Sequence, residues 1–443
     1  MAELGEEKNG RRTSVELFAG GGGLAQAVEL AGFRPLLVNE HAKRACETLE
    51  ANDYRRLPEG VKPEPPEEGE RCPMIAGDVQ KVDFDRFENK VDLLAGGPPC
   101  QPFSLGGVAR GDEDKRNMFP ELFRAIREIR PKAVICENVR GLLRPSFRPY
   151  FNYIQRELEF PFLRREEGSD WKDHFSALEK AHALNDIDPH ERYRVVMTPV
   201  NAADYGVPQI RNRVILVAFR ADLQVDIDAF RKSVEEPEPA TWYSEKALIR
   251  SMMLGEYWDR HKDANIPPDV RARVEARLPK ELPEDDGRMP WRTLRDALRG
   301  IREGEGQLPF VPLHEQDRTK EHGGVAYHVG WPNARKYDGH TPNELDRPAK
   351  TVKAGVHGVP GGESVMELDQ RVPVEGKPGE WEYQHRYMTV RETARVMTFP
   401  DGWKLEGPRG EKMRQLGNAV PVMLGEFFAN AVARALDAAP GDK

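Results

Sequence analysis

Short apolar runs alternate along the first half of the chain with segments whose apolar positions recur at helical spacing. The stretch "TSVELFAGGGGLAQAVELAGF" predicts a strand over Ser14–Phe18, a glycine turn over Gly20–Gly23, and an amphipathic helix from Leu24 to about Ala31, stopped by Gly32. "PLLVNE" reads as a second strand ending in Glu40, and "HAKRACETLEAN" as a second helix. "MIAGDV" and "VDLLAGG" read as further short strands, "NMFPELFRAIREIRP" as a helix and "KAVICENV" as a strand. "YRVVMTPVNAADYGVP" and "RVILVAF" follow as two more strands around a loop. Strands alternating with helices predict an α/β fold with a mostly parallel sheet, whose ligands bind beyond the carboxyl ends of the strands.

That rhythm fails between about Arg220 and Glu380, where proline, glycine and charge are frequent and tryptophans are scattered at 242, 258, 291 and 331. A second, smaller and irregular domain is expected there. Order resumes in "MTVRETARVMTFPDGW" and in a terminal helix from about Pro421 to Leu436. The expected boundaries are 11–222, completed by 415–438, for the first domain, 223–380 for the second, and 381–414 for a hinge and helical connection. A charge-rich insertion is expected between Phe160 and His190.

Composition narrows the class. Hydrophobic residues make up 39% of the chain and charged residues 32%. No apolar run near the ~18 residues of a membrane span is expected, and no export leader, so the reading is a soluble, cytoplasmic protein with no membrane partner. The 4 cysteines, Cys46, Cys72, Cys100 and Cys136, lack paired C-x-x-C spacing, which supports neither a metal site nor a disulfide framework. One reactive thiol among buried structural ones fits better. A net charge of −8 argues against a surface coated in positive charge, but charge is segregated. Pro58–Glu70 carries 5 glutamates against 1 lysine, whereas His385–Arg414 carries 7 Lys/Arg against 4 Asp/Glu.

Candidate chemistry gathers at the strand ends. A glycine turn followed by a helix, with an acid closing the next strand, suits a nucleotide-like ligand, because glycine permits close backbone approach and the acid takes the ribose hydroxyls. "FAGGGG" lacks clean G-x-G-x-x-G spacing, so a ligand with a ribose and no pyrophosphate, such as S-adenosylmethionine, fits better than NAD. "GGPPCQPFS" puts Cys100 on a proline-stiffened loop, where a thiolate suits a nucleophile. A buried structural cysteine is an equal reading of that stretch alone. "ICENVRGLL" brings Glu137 and Asn138 to another strand end, as a proton donor if burial raises its pKa or as a helix-capping acid. In "DYGVPQIRNRVILVAF", Gln209, Arg211 and Arg213 alternate, and so share one face if extended. They suit holding an acid or a base edge, or form a solvated charge pattern.

Together these pieces resemble the DNA (cytosine-5)-methyltransferases of bacterial restriction-modification systems. The matching blocks, in family order, are "ELFAGGGGL", "NEHAKRACETLEAN", "GDV", "GGPPCQPFS", "ENVRGLL", "NAADYGVPQIRNRVILVAF", "MTVRETARVMTFPDGW" and "QLGNAVP". The resemblance implies a Rossmann-like S-adenosylmethionine-dependent methyltransferase sheet flanked by helices, plus a target-recognition domain. It implies an enzyme that methylates carbon 5 of a cytosine flipped out of double-stranded DNA. Cys100 would be the covalent nucleophile, Glu137 the acid at ring nitrogen 3, Arg213 the group binding the base carbonyl, and Arg211 the group orienting the acid.

The cofactor S-adenosyl-L-methionine would contact Phe18, Gly20, Gly22, Gly23 and Leu24, with Glu40 on the ribose and Asp78 with Val79 at the adenine. Pro99, Asn418 and Val420 would complete that pocket, and His41 stands where relatives carry an aromatic ring. Gln101, Ser104, Asn138 and Gln209 would meet the substrate. "ELDRPAKTVKAGVHGVPGG" resembles the end of a recognition loop, offering Arg347, Lys350, Thr351 and Lys353 to DNA. A monomer, and a cognate restriction endonuclease encoded nearby, are the partner expectations. The competing readings are a tRNA-methylating enzyme of the same fold, a non-catalytic DNA-binding homologue, and a NAD-dependent oxidoreductase, for which Cys100 would have no role.

Overall fold

The computed structural model describes residues 11–99, 117–184, 186–313, 318–335, 341–354, 365–374 and 376–442. The chain forms two compact units: one from the chain up to Thr198, Val214–Arg231 and the chain from Glu426 onward, the other from Pro199–Arg213 and Lys232–Gly425. The segment carrying Gln209, Arg211 and Arg213, expected with the first domain, therefore groups with the second unit, as do 381–425.

The first unit is α/β. Its strands are β1 (Thr13–Leu17), β2 (Arg34–Glu40), β3 (Arg55–Arg56), β4 (Pro73–Ala76), β5 (Leu93–Gly96), β6 (Ala133–Val139), β7 (Tyr193–Asn201) and β8 (Asn212–Arg220), the last two running on into the second unit. They form one sheet in the order β3-β4-β2-β1-β5-β6-β8-β7. The pairs from β3 through β6 are parallel. The helices are α1 (Gly23–Leu30), α2 (Lys43–Ala51), α3 (Phe119–Ile129), α4 (Arg148–Glu159) and α5 (Trp171–Leu184). The chain leaves β1 toward β2 on one side and later returns to β5 on the other, so the topological switch point lies at the carboxyl ends of β1 and β5.

Local sequence explains these elements. In α3, Phe119, Leu122, Phe123, Ile126 and Ile129 are buried at helical spacing, and the helix stops at Arg130, whose φ of 54° is left-handed. These side chains join Val15, Leu17, Leu94, Val134 and Leu216 in one core. Burying each large apolar side chain contributes about 1.5–3 kcal/mol. The charge-rich insertion contains a helix that periodicity did not announce. In α5, His174 is buried, its ring 3.1 Å from the Tyr153 hydroxyl of α4, and the Trp171 ring meets Tyr150 edge-on at 5.3 Å.

The second unit departs from the irregular domain expected. Within it lie α7 (Glu245–Met253), α8 (Glu256–Arg260), α9 (Pro268–Glu275), α10 (Leu294–Arg299), α11 (Val390–Val396) and α12 (Arg409–Asn418). The helices α6 (Ile227–Glu235) and α13 (Val422–Ala438) pass between the units. Short strands β9 (Tyr243–Ser244) and β10 (Met289–Pro290) pair in parallel, and β11 (Val365–Pro373) with β12 (Trp381–Tyr387) forms an antiparallel ladder. These helices are short, and α10 and α11 carry charge inward, with Arg295, Asp296, Arg391, Glu392 and Arg395 buried, so that an apolar stripe is hard to find. Arg295 is held between Asp346 (2.7 Å) and Asp369 (2.8 Å), and buried Arg386 pairs with buried Glu392 at 2.8 Å.

Residues 409–438 contain a window as long and apolar as a membrane span, with mean hydropathy 1.3, although 61% of that window is buried inside the protein. The burial explains the composition, since a core helix passes the same test.

Candidate active site and cofactor pocket

At the switch point, register aligns the residues that matter. Leu17 pairs with Gly96, and Gly96 with Cys136, so Phe18, Gly97 and Glu137 follow side by side at the carboxyl edge. Gly96 is required there: a Cβ would stand 2.9 Å from the Leu17 carbonyl oxygen and 3.5 Å from the Phe18 ring. A Cβ on Gly97 would lie 3.6 Å from the Glu137 carboxylate. Glu137 itself is only 8% exposed. Asn138 donates to the Pro98 carbonyl at 3.0 Å, and its other end accepts from the Val139 N–H at 2.8 Å. Expected to meet substrate, Asn138 is thus engaged at both ends in tying the proline turn to β6. Pro99 is exposed. Cys100, Gln101 and Ser104 lie outside the described residues.

The glycine turn is built around Glu40. One carboxylate oxygen accepts from the Gly20 N–H and the other from the Ala42 N–H, each at 2.7 Å. This single side chain joins the turn after β1 to the start of α2. Phe18 (φ 58°), Gly20 (φ 57°) and Gly22 (φ 88°) are left-handed, and a Cβ at Gly20 would meet nothing within 4 Å. Gly22 precedes α1 with no side-chain cap and no acid in the first turn, while Gly23 and Leu24 begin the helix, buried. Each Glu40 oxygen keeps a lone pair for a hydroxyl donor, since a carboxylate accepts at about four positions. Asp78 is exposed and accepts from the Gln80 N–H at 3.0 Å, Val79 is buried, and His41 is exposed. Open space at the turn, left-handed backbone and a half-used acid fit a ribose-bearing ligand without a pyrophosphate.

Two positioning residues here escaped sequence reasoning. Asn39 donates to the Ile75 and Gly77 carbonyls at 3.2 and 3.0 Å, and so sets the turn that carries Asp78. Its signal was a polar residue inside the buried run "LLVNE". Arg124 donates to the Val79 carbonyl at 2.7 Å and the Val82 carbonyl at 3.1 Å from α3, a pairing no spacing rule foretells.

The other cysteines are poor nucleophiles. Burial pushes the Cys46 thiol up to about 12, and raises Cys136 and Cys72 as well. All three are buried and free.

In the second unit, the Gln209–Arg213 segment is knitted to two distant ones. Gln209, fully buried, accepts from the Val352 N–H at 3.0 Å, and the Thr351 hydroxyl donates to the Ile210 carbonyl at 2.8 Å. Arg211, 1% exposed, donates to the carbonyls of Val352 (2.8 Å), Gly417 (2.9 Å) and Ala419 (2.9 Å). Expected to orient an acid, Arg211 places its terminal guanidinium nitrogens on three carbonyls of the stretch "KTVKA" and of "LGNAV" at the end of α12. The two stretches touch so closely that a Cβ on Gly417 would sit 2.3 Å from the Lys353 carbonyl carbon. Arg213 is half-buried and donates to the Asn212 carbonyl at 2.8 Å. Asn418 is exposed and Val420 buried. Lys350 binds the Thr341 carbonyl and hydroxyl, Arg347 pairs with Glu245 at 3.2 Å on the surface, and Lys353 is exposed.

The family described as C-5 cytosine-specific DNA methylase matches residues 12–160 and 173–434, skipping only a short stretch of the inserted segment. The chain is 30% identical over 445 residues to the type II methyltransferase M.PspPI of Psychrobacter sp. (strain TA137), covering 99% of this chain and 83% of that protein. It is 30% identical over 435 residues to M.Eco47II of Escherichia coli, covering 96% and 79%. Among solved structures, a prophage-encoded DNA modification methyltransferase (E. coli) superposes with a TM-score of 0.51 at 17% identity, over 96% of this chain and 99% of that one. The S. pombe Dnmt2 methyltransferase does so with a TM-score of 0.50 at 14% identity, over 97% and 99%. With strand ends, glycine turn and family match in agreement along nearly its whole length, the chain belongs to the C-5 cytosine-specific DNA methylases.

Proposed function

We propose that this protein methylates carbon 5 of a cytosine flipped out of a specific double-stranded DNA sequence, using S-adenosylmethionine and a covalent Cys100 intermediate. The observation that carries the reading is the proline turn moored beside Glu137. Gly97 abuts the carboxylate and Asn138 holds Pro98, so the chain departs toward Cys100 from a point next to the acid.

Carbon 5 of cytosine is a weak nucleophile. The Cys100 thiolate adds to carbon 6, forming an S–C bond and pushing the ring's electron pair toward carbon 5 and nitrogen 3. Glu137 supplies a proton at nitrogen 3, and Arg213 hydrogen-bonds the base carbonyl, both stabilising charge as it develops. S-adenosylmethionine, when bound, supplies an electrophilic methyl group to carbon 5. Loss of the carbon-5 proton to water re-forms the ring double bond and expels the Cys100 thiolate, and return of the nitrogen-3 proton to Glu137 leaves 5-methylcytosine and S-adenosylhomocysteine. Glu40, Asp78 and the Phe18–Leu24 turn hold the donor, with Pro99, Asn418 and Val420 beside it. Extruding the base costs about a few kcal/mol.

Arg211 serves as a strut that fixes the stretch of Asn418 and the stretch of Thr351 at once. The region 223–380 is the target-recognition domain, with exposed Arg347 and Lys353 offered to phosphates or guanine edges. The enzyme works in the cytoplasm as a monomer beside a cognate restriction endonuclease.

The test is transfer of labelled methyl from S-adenosylmethionine to cytosine-containing duplex DNA, with Cys100→Ala abolishing transfer and leaving the fold intact by circular dichroism. Duplexes bearing 5-fluorocytosine should trap an adduct that mass spectrometry maps to Cys100. Label appearing only on tRNA, or full activity in the variant, sinks the reading. Bisulfite sequencing of DNA from an expressing host gives the target sequence.

A further inference from the structure

The basic stretch His385–Arg414 has one part that the proposed chemistry does not use. Arg409, the first residue of α12, lies over two rings of the second unit, with its guanidinium carbon 5.1 Å from the centroid of Trp331 and 5.7 Å from that of Tyr387. Two further cations lie against neighbouring rings: Arg318 lies 4.6 Å from the Trp331 centroid, and Lys412 lies 4.2 Å from that of Tyr327. We propose that Arg318, Arg409 and Lys412, set on Trp331 and Tyr327, form a clamp for the sugar-phosphate backbone of duplex DNA, separate from the recognition loop around Thr351.

The contrast with the other arginines of this unit carries the argument. Arg295, Arg386 and Arg395 each meet a carboxylate at 2.5–2.8 Å. Arg409 has none: among the described residues it donates to the Met388 carbonyl at 3.1 Å, and its Nε is buried with no acceptor. Burial lowers the pKa of Arg409, and only Tyr387 acts against it. Burial also lowers Lys412, with Glu406 and Glu321 acting against it. Half-buried cations lacking a bonded acid cost stability unless an anion arrives. Rings beside a guanidinium hold its plane, and a planar guanidinium with no carboxylate bonded to it suits a phosphate. Phosphate groups of a duplex are the anions this family meets, so the inference rests on the DNA reading above.

The experiment measures duplex affinity against salt by fluorescence anisotropy, for a cytosine-containing duplex and for one of unrelated sequence. Each phosphate contact removed should reduce the slope of log K against log salt by about 0.9. Arg318→Gln, on an exposed side chain, and Arg409→Gln should each lose about one contact and weaken both duplexes by a similar factor, about three- to tenfold near physiological salt. Arg409→Lys should keep most of the slope. If Arg409→Gln does not fold, Arg318→Gln and Lys412→Gln decide. Unchanged slopes in the folded variants overturn the clamp, as does a slope change seen on duplex RNA and not on DNA. The parent reading is scored separately, by methyl transfer in the wild-type protein, so either can fail alone.

Discussion

At the scale of the residue, Arg211 is the most instructive side chain. Its alternation with Gln209 and Arg213 suggested three groups on one face aimed at a ligand. The structure has Gln209 and Arg211 pointing into protein instead, where they join the segment at 209–213 to main chain more than a hundred residues away. Sequence spacing could show that these side chains share a face, but the carbonyls opposite them are positioned by tertiary folding. Arg211→Ala would leave three buried carbonyls without donors and should cost about 3 kcal/mol or more. Arg211→Lys should recover little, because one ammonium lacks the planar fork. Urea unfolding of the two variants checks both statements. Equal stability of wild type and Arg211→Ala would remove the strut. Near Cys100 the sequence was easier to read: "GGPPC" advertises a stiff turn after a strand, and Gly96 and Gly97 have close neighbours that explain why both are glycine.

At the scale of the element, most strands of the first unit and its helices α1 to α3 were legible to within a few residues, because each buries an apolar face of the right period, whereas β3, α4 and α5 were not. The short helices α7 to α10 of the second unit were not either, because α10 turns Arg295 and Asp296 inward and the others bury only a few apolar residues each. Helical order was expected around α11, where Thr389 and Glu392 form a capping box and the Glu392 carboxylate also pairs with Arg386 in the interior. Burial alone would raise the Glu392 pKa, but Arg386 overrides it and holds the carboxyl down to about 2, against an ordinary 4.5. A depressed folded pKa means that this contribution is whole above about pH 4.5 and is lost as pH falls toward about 2. Thermal unfolding should therefore show a melting temperature that drops over this window. In Glu392→Gln the drop should be shallower and start from a lower plateau, since stranding Arg386 costs about 3–5 kcal/mol. Parallel pH profiles for the two proteins would discard the assignment.

At the scale of the whole molecule, the chain closes its first unit with its own far end. Asp442, with a side chain 5% exposed, accepts from Arg12 at 2.8 Å and also meets Lys132, which lies 3.0 Å from Asp92. A Cβ on Gly441 would stand 2.5 Å from the Asp222 carbonyl oxygen, so the end of the chain is seated closely against residues 222–223. Asp442→Asn should destabilise the protein by about 1–2 kcal/mol in urea, less at high salt because Arg12 and Lys132 are partly exposed. No change at low salt would show the clasp to be idle.

The sequence by itself determined the α/β class, the ligand edge and the block order that marks the family, because periodicity and turn chemistry are local properties. Only the tertiary structure decided which charged side chains are struts and which face outward, and which segments compose each unit. Those outcomes depend on partners distant in the chain, and burial in three dimensions, unlike period along it, leaves no local pattern to read.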